Sequence, residues 1–122
     1  MYKVHKDDNW EVEFMIVLTT DYVPGYEIVE TLGIVTGSIV NSKHLGKDIA
    51  AAFKTLAGGE IKSYTELLVE SRNIALKRMI AEAEKLRADA VVGVRFGSSS
   101  VMQSAAEILA YGTAVKLRKI ER

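Results

Sequence analysis

The sequence predicts an α+β subunit of one domain, ordered β-β-α-α-β-β, and three observations carry that reading. Runs rich in β-branched and aromatic residues sit at both ends of the 122-residue chain. The middle instead shows apolar residues at helical spacing, twice, with Gly58-Gly59 between the two patterns. A hydrophobic share of 48% in so short a chain suffices for one core and leaves apolar surface that gains from association.

Residues 1–14 mix Lys, His, Asp, Asn and Trp without a sustained period, and Asp7-Asp8-Asn9 is a turn signal. This segment reads as an arm or short hairpin ahead of a domain over residues 15–122. The run FMIVLTT from Phe14 reads as a buried strand halted by Asp21 and by Pro24-Gly25. Residues 26–40 make a long, bent second strand, with Gly33 and Gly37 interrupting it as bulges or points of close approach. Asn41-Ser42 offers a cap for a first helix carrying Leu45, Ile49, Ala52, Phe53 and Leu56, which Gly58-Gly59 ends.

Thr65 then caps a second helix that runs to about Arg87. Its stripe of Leu68, Ala75, Met79 and Leu86 is widened by Val69, Leu76, Ile80 and Ala83, an arc broader than contact with one sheet needs. Arg72 falls inside that arc and is the polar residue most out of place. Ala88-Asp89 turns the chain into a strand over residues 90–96, Gly97-Ser98-Ser99-Ser100 reads as a flexible connection, and a last strand covers residues 105–117. In that strand Leu109, Tyr111, Thr113, Val115 and Leu117 form one face, and Ile108, Ala110, Gly112 and Ala114 the other. Both faces are largely apolar, so the one that helices leave bare calls for other subunits.

Sixteen basic and sixteen acidic residues cancel without any block of like charge, which argues against nucleic acid as a partner. The absence of cysteine excludes disulfides, thiolate metal cages and a cysteine nucleophile. The first residues lack an apolar signal core, and the longest early apolar run, residues 14–18, is far below the roughly 18 residues of a membrane span. The expectation is a soluble cytoplasmic protein with no membrane partner.

Several motifs together carry a resemblance. MIVLTT begins at Met15, LGIVTG at Leu32, RNIA at Arg72, ADAVVGVRF at Ala88 and YGTAV at Tyr111, with GGE and YTELL between them. In these the chain resembles the YbjQ-like family, which carries a heavy-metal-binding label and no established activity. The resemblance covers nearly the whole domain from Met15 and leaves residues 1–14 outside. It implies a dodecin-like α+β subunit, an antiparallel sheet with helices on one face, assembled as a homopentamer.

The metal label meets few suitable donors in the sequence. Heavy metals favour thiolate, thioether and imidazole ligands, and the two histidines, His5 and His44, have no second ligand at short spacing. Both read as solvated, and the metal ligands and any cofactor stay unassigned, although a symmetric ring could gather copies of one weak ligand. Glu66 and Glu70, with Asn73 and Lys77 nearby, could hold a hard cation through oxygen but read as a solvated helix face. Gly97-Ser98-Ser99-Ser100 lacks the lysine and following helix of a phosphate loop, and neither histidine sits in a triad context.

Glu60, Tyr64, Arg72 and Tyr111 are the candidate ligand-binding set. A guanidinium among apolar neighbours needs a partner, which Glu60 or a tyrosine hydroxyl of this or a neighbouring subunit can supply. One version is an intersubunit salt bridge with Tyr64 packed over it. The other is an anion clamp between subunits, with Tyr64 or Tyr111 as a wall and Glu60 orienting Arg72. Three functions follow: a homo-oligomeric binding module for a small anion or metal ion, a structural or interaction protein without ligand, and, third, an enzyme acting on a small anionic substrate.

Overall fold

The computed structural model describes residues 1–5, 12–42, 59–102 and 105–121, with the backbone alone at 3–5, 12–13, 41–42 and 59–64. In chain order these form β1 (Tyr2–His5), β2 (Val12–Val17), β3 (Tyr26–Ser42), α1 (Gly59–Lys85), β4 (Ala90–Met102) and β5 (Ala105–Lys119). The strands make one sheet of order β1-β2-β4-β5-β3. The helix expected over residues 45–56 lies outside the described residues.

The sheet is mixed, which corrects the expectation of an antiparallel one. β2 pairs with β4 in parallel, Ile16 opposite Ala90 and Val17 opposite Val91, while β1–β2, β3–β5 and β4–β5 are antiparallel. The connections explain this. From β2 the chain reaches β3 on the far side of β5, and α1 brings it back between β2 and β5, so β4 enters in the direction of β2. The parallel pairing extends past β2, since Leu18 N–H donates to Val91 O at 2.9 Å and Gly93 N–H to Thr20 O at 2.8 Å.

Local chemistry sets the boundaries. Pro24-Gly25 builds a type II turn: Tyr26 N–H donates to Val23 O at 3.1 Å and Gly25 takes φ 82°, the conformation that position requires. Gly33, at φ 116°, marks a shift of register in β3. α1 begins at Gly59, so Thr65 lies inside the helix rather than at its cap. Residues 60–70 contain good helix formers and no breaker, and one glycine in the first turn does not stop them. At the other end Ala88 N–H reaches Ala83 O at 3.1 Å and Arg87 N–H reaches Glu84 O at 2.9 Å. With Arg87 at φ 59°, this is a Schellman ending, closed by contact of buried Ala83 and Ala88.

β4 continues through Gly97-Ser98-Ser99-Ser100, which pair with β5 residues 109–106. The expected flexible connection is therefore strand. Serines tolerate a pleated, half-exposed surface when a long apolar partner such as β5 sets the ladder, so the composition cue fails here. Beyond β4 and β5, β1 folds back on β2 with Tyr2 opposite Met15, so the N-terminal segment holds a strand of the sheet.

The core has two parts. On one face α1 buries Ala75, Met79, Ile80 and Ala83 against Met15, Val35, Val91, Val94, Ile108, Ala110 and Ala114. A Cβ on Gly37 would overlap Ala75 O and Met79 N, so β3 and α1 touch backbone to backbone there. Arg78 Nη1 donates to Ser38 O at 2.6 Å beside that crossing. On the opposite face Val23, in the β2–β3 connection, covers Ala90, Val92 and Val115, with Ile16, Leu18 and Leu117 around them.

Candidate functional site

α1 runs antiparallel along β3. Gly37 meets residues 75–79, and Val35 shares a cleft with Glu82, Lys85 and Leu86 nearer the helix end. The 27 residues of α1 span about 40 Å at about 1.5 Å each, whereas β3 from Val35 to Ser42 spans about 23 Å. α1 is therefore longer than the stretch of β3 along which it packs.

Arg72, the fourteenth residue of α1, follows buried Ser71. At about 100° per residue it lies on the arc of buried Ala75, Met79 and Ala83, yet it is exposed, and Leu68 on the same arc is 43% exposed. Among the described residues nothing bonds or pairs with Arg72. Glu60, Tyr64, Leu68 and Arg72 stand four residues apart along the helical backbone, forming one slowly drifting row. The side chains of Glu60 and Tyr64 lie outside the described residues. Glu66 and Glu70 are exposed on the far side of α1, as expected for a solvated face.

Tyr111 stands elsewhere. Alternation along β5 puts Ile108, Ala110, Gly112 and Ala114 toward α1 and Leu109, Tyr111 and Thr113 on the open face, where Tyr111 keeps 40% of its surface exposed. Register places Arg95 of β4 and Thr36 of β3 directly opposite Tyr111 on its two sides. One chain thus does not join Arg72 to Tyr111: the first is on α1 and the second faces away from α1.

Sequence reasoning passed over Arg95, although a lone charge in the apolar run AVVGVRF is a legible signal. Its Nη1 donates to Thr19 O at 2.8 Å and to Val94 O at 2.9 Å, which fixes the guanidinium beside the β2–β3 connection. A second unread feature is an open cleft of about 570 Å³ lined by Ile34, Val35, Thr36, Glu82, Lys85 and Leu86. An exposed Lys85–Glu82 salt bridge at 3.1 Å lies along it, and neither Arg72 nor Tyr111 lines it.

The donors of a heavy-metal centre do not assemble in the described part of one chain. The sequence has no cysteine, and no three His, Asp or Glu residues converge among the described residues. The thioethers of Met15 and Met79 are fully buried in the core against apolar neighbours. No helix among the described residues is long and apolar enough to cross a membrane.

Fold and site define a small α+β protein with a mixed sheet, covered by a helix on one face and partly bare on the other. The chain belongs to the YbjQ family, whose model, described as "Putative heavy-metal-binding", matches residues 15–118. A UPF0145 protein of Fervidobacterium nodosum is 93% identical over 106 residues, 87% of this chain and 98% of that protein. UPF0145 proteins of Pseudothermotoga lettingae and Thermotoga maritima are 77% and 71% identical over the same share of this chain and their whole length. A crystal structure from Pediococcus pentosaceus, described as a protein of unknown function in the DUF74 family, is similar at a TM-score of 0.48. Its identity is 15%, with 85% of this chain and 98% of that one covered.

Proposed function

We propose that the protein is a homo-oligomeric binding module, a pentamer by family resemblance, which holds a small anion or metal ion between copies. The ligand sits where the N-terminal half of α1 in one copy, with Arg72, meets the open sheet face of the next. The observation that supports this is the separation of Arg72 from Tyr111 within one chain, each beside exposed apolar side chains: Leu68 and Val69 on α1, Ile34 and Val40 on the sheet. A helix end on a sheet face is a head-to-tail contact, and such contacts close into rings when the rotation allows.

In that cleft Arg72 supplies the charge for an anion, Tyr111 a wall and a hydroxyl, and Glu60 and Tyr64 orient the guanidinium from the same helical row. An oxygen-ligated cation is the alternative occupant, drawing carboxylates from several copies. The test is native mass spectrometry of untagged protein prepared without chelator, with elemental analysis of the same sample. A pentamer carrying stoichiometric anion or metal is the expected result. An empty pentamer favours a structural protein stapled by Arg72, in which Arg72→Met leaves assembly intact or stronger, as replacement of buried ion pairs sometimes does. A monomer overturns the module. Turnover of a small anionic substrate, lost in Tyr64→Phe with assembly unchanged, would favour the enzyme.

A further inference from the structure

β3 is the last strand of the sheet, with β5 on one side and no strand among the described residues on the other. A strand so placed presents every second backbone N–H and C=O outward. Arg78 marks which ones. From α1 its Nη1 donates to Ser38 O at 2.6 Å, on the side away from β5, so the Ser38 carbonyl points out from the edge. Backbone groups repeat every two residues along a strand, so the N–H and C=O of Thr36 and Ile34 point out as well.

The open cleft of about 570 Å³ lies along this stretch. Ile34 and Thr36 point to one face of the sheet and Val35 to the other, so a cleft lined by all three borders the edge itself. Its far wall is Glu82, Lys85 and Leu86, near the end of α1. Toward Gly37 the helix closes on the strand backbone, and toward Gly33 the regular edge ends at a register shift. Glu82 and Lys85 answer one another at 3.1 Å, so the cleft offers a ligand no unbalanced charge. What it offers is a short row of backbone donors and acceptors beside exposed Ile34 and Leu86. Another extended chain matches that pattern, because its own N–H and C=O groups repeat at the same spacing.

We propose that this cleft takes an extended, uncharged peptide segment of another protein, which adds to the sheet as a strand beside residues 34–36. The backbones of Ile34 and Thr36 supply its hydrogen bonds. Its side chains alternate, aliphatic ones toward Val35 and Leu86 and polar ones such as threonine toward the open face. The site is distinct from the intersubunit cleft, since neither Arg72 nor Tyr111 lines it.

The experiment titrates isotope-labelled full-length protein with an end-blocked peptide of six alternating threonines and valines, followed by backbone amide shifts and hydrogen exchange. Saturable shifts at residues 34–36 and 85–86 are expected, with exchange at the amides of Ile34 and Thr36 slowed by at least about tenfold. Two further peptides carry N-methyl groups on alternate residues, one set replacing the donors that face β3 and the other those that face away. The first loses binding and the second keeps it within about threefold. Thr36→Pro removes an outward donor at an edge, where proline is tolerated, and weakens binding by at least about tenfold. Thr36→Ala keeps the backbone and changes it by less than about threefold. Leu86→Glu sets an unpaired carboxylate in the wall and weakens binding by at least about tenfold. Amide dispersion shows that each variant is folded, and the two methylated peptides decide the matter on the wild type alone. Equal binding of those two peptides, or absence of localised shifts, overturns the site. Slow exchange at Ile34 and Thr36 before any peptide is added means that another copy already holds the edge, and overturns it too. Shifts at these residues with benzoate but not with the peptide make the cleft a small-molecule site instead.

Discussion

The two faces of this sheet are made by the same strands and built to opposite ends. Toward α1, β3 and β5 set Gly37, Ala110, Gly112 and Ala114 between the larger Val35 and Ile108, and helix and strand backbones touch at Gly37. On the other side they present Ile34, Thr36, Tyr111 and Thr113, larger and with polar tips, and Ile34 is 78% exposed. Small residues let a fixed element of the same chain approach at close range. Large, half-exposed ones reserve area and hydrogen-bonding groups for something outside the chain. The contrast teaches that the internal face is marked by a close backbone approach at Gly37 and the external one by exposed side chains with polar tips.

The sharpest way to break this comparison is to add one methyl to each face. Gly37→Ala forces Cβ against the backbone of α1, which cannot yield as a side chain can, and should lower unfolding free energy by about 3 kcal/mol. Gly97→Ala, whose Cβ meets nothing within 4 Å, should change it by less than about 0.5 kcal/mol in the same denaturant titration. Equal effects would mean that α1 does not seat on Gly37.

Next in size is the place just before β4 begins, beside the continuing β5. Asp89 Oδ2 accepts from Leu117 N–H at 2.9 Å, and Asp89 N–H donates to Val115 O at 2.9 Å, so the carboxylate stands in for a missing strand residue. Asp89→Ala should cost about 1–2 kcal/mol because it strands a partly buried donor, and Asp89→Asn less, by thermal or denaturant unfolding. A smaller gain is expected from Arg87→Gly. It relieves the left-handed conformation at the Schellman ending and should raise stability by up to about 1 kcal/mol.

The open face should respond least in stability and most in association. Ile34→Thr and Tyr111→Ser should alter unfolding of the isolated chain by less than about 0.5 kcal/mol while shifting sedimentation toward smaller species. Loss of stability with unchanged assembly would show that this face serves the chain's own fold.

Much of this was readable from residues. The turn at Pro24-Gly25 needs only a residue free to take positive φ, the interruptions at Gly33 and Gly37 announce themselves in a β-branched run, and the arc on α1 singles out Arg72. These are local signals, carried by one residue type or a short period. What escaped was set by partners distant in sequence. Gly97-Ser98-Ser99-Ser100 looks like a loop until β5 pairs with it, and Thr65 looks like a cap until the helix is seen to start at Gly59. Of the candidate site, the sequence could not show that Arg72 and Tyr111 lie apart, because Tyr111 belongs to the other face of the sheet.

By itself, then, the sequence determined the α+β class, the order of the strands from residue 12 onward, the long helix and the family, since periodicity, turn chemistry and motifs act over a few residues. Only the tertiary structure decided that β2 and β4 run in parallel, that α1 crosses β3 at Gly37, and that Arg95, Tyr111 and Thr36 share one row of the ladder. These depend on which strands become neighbours and in what register. Many distant contacts decide register together, and a slip of one residue would send every side chain of a strand to the opposite face.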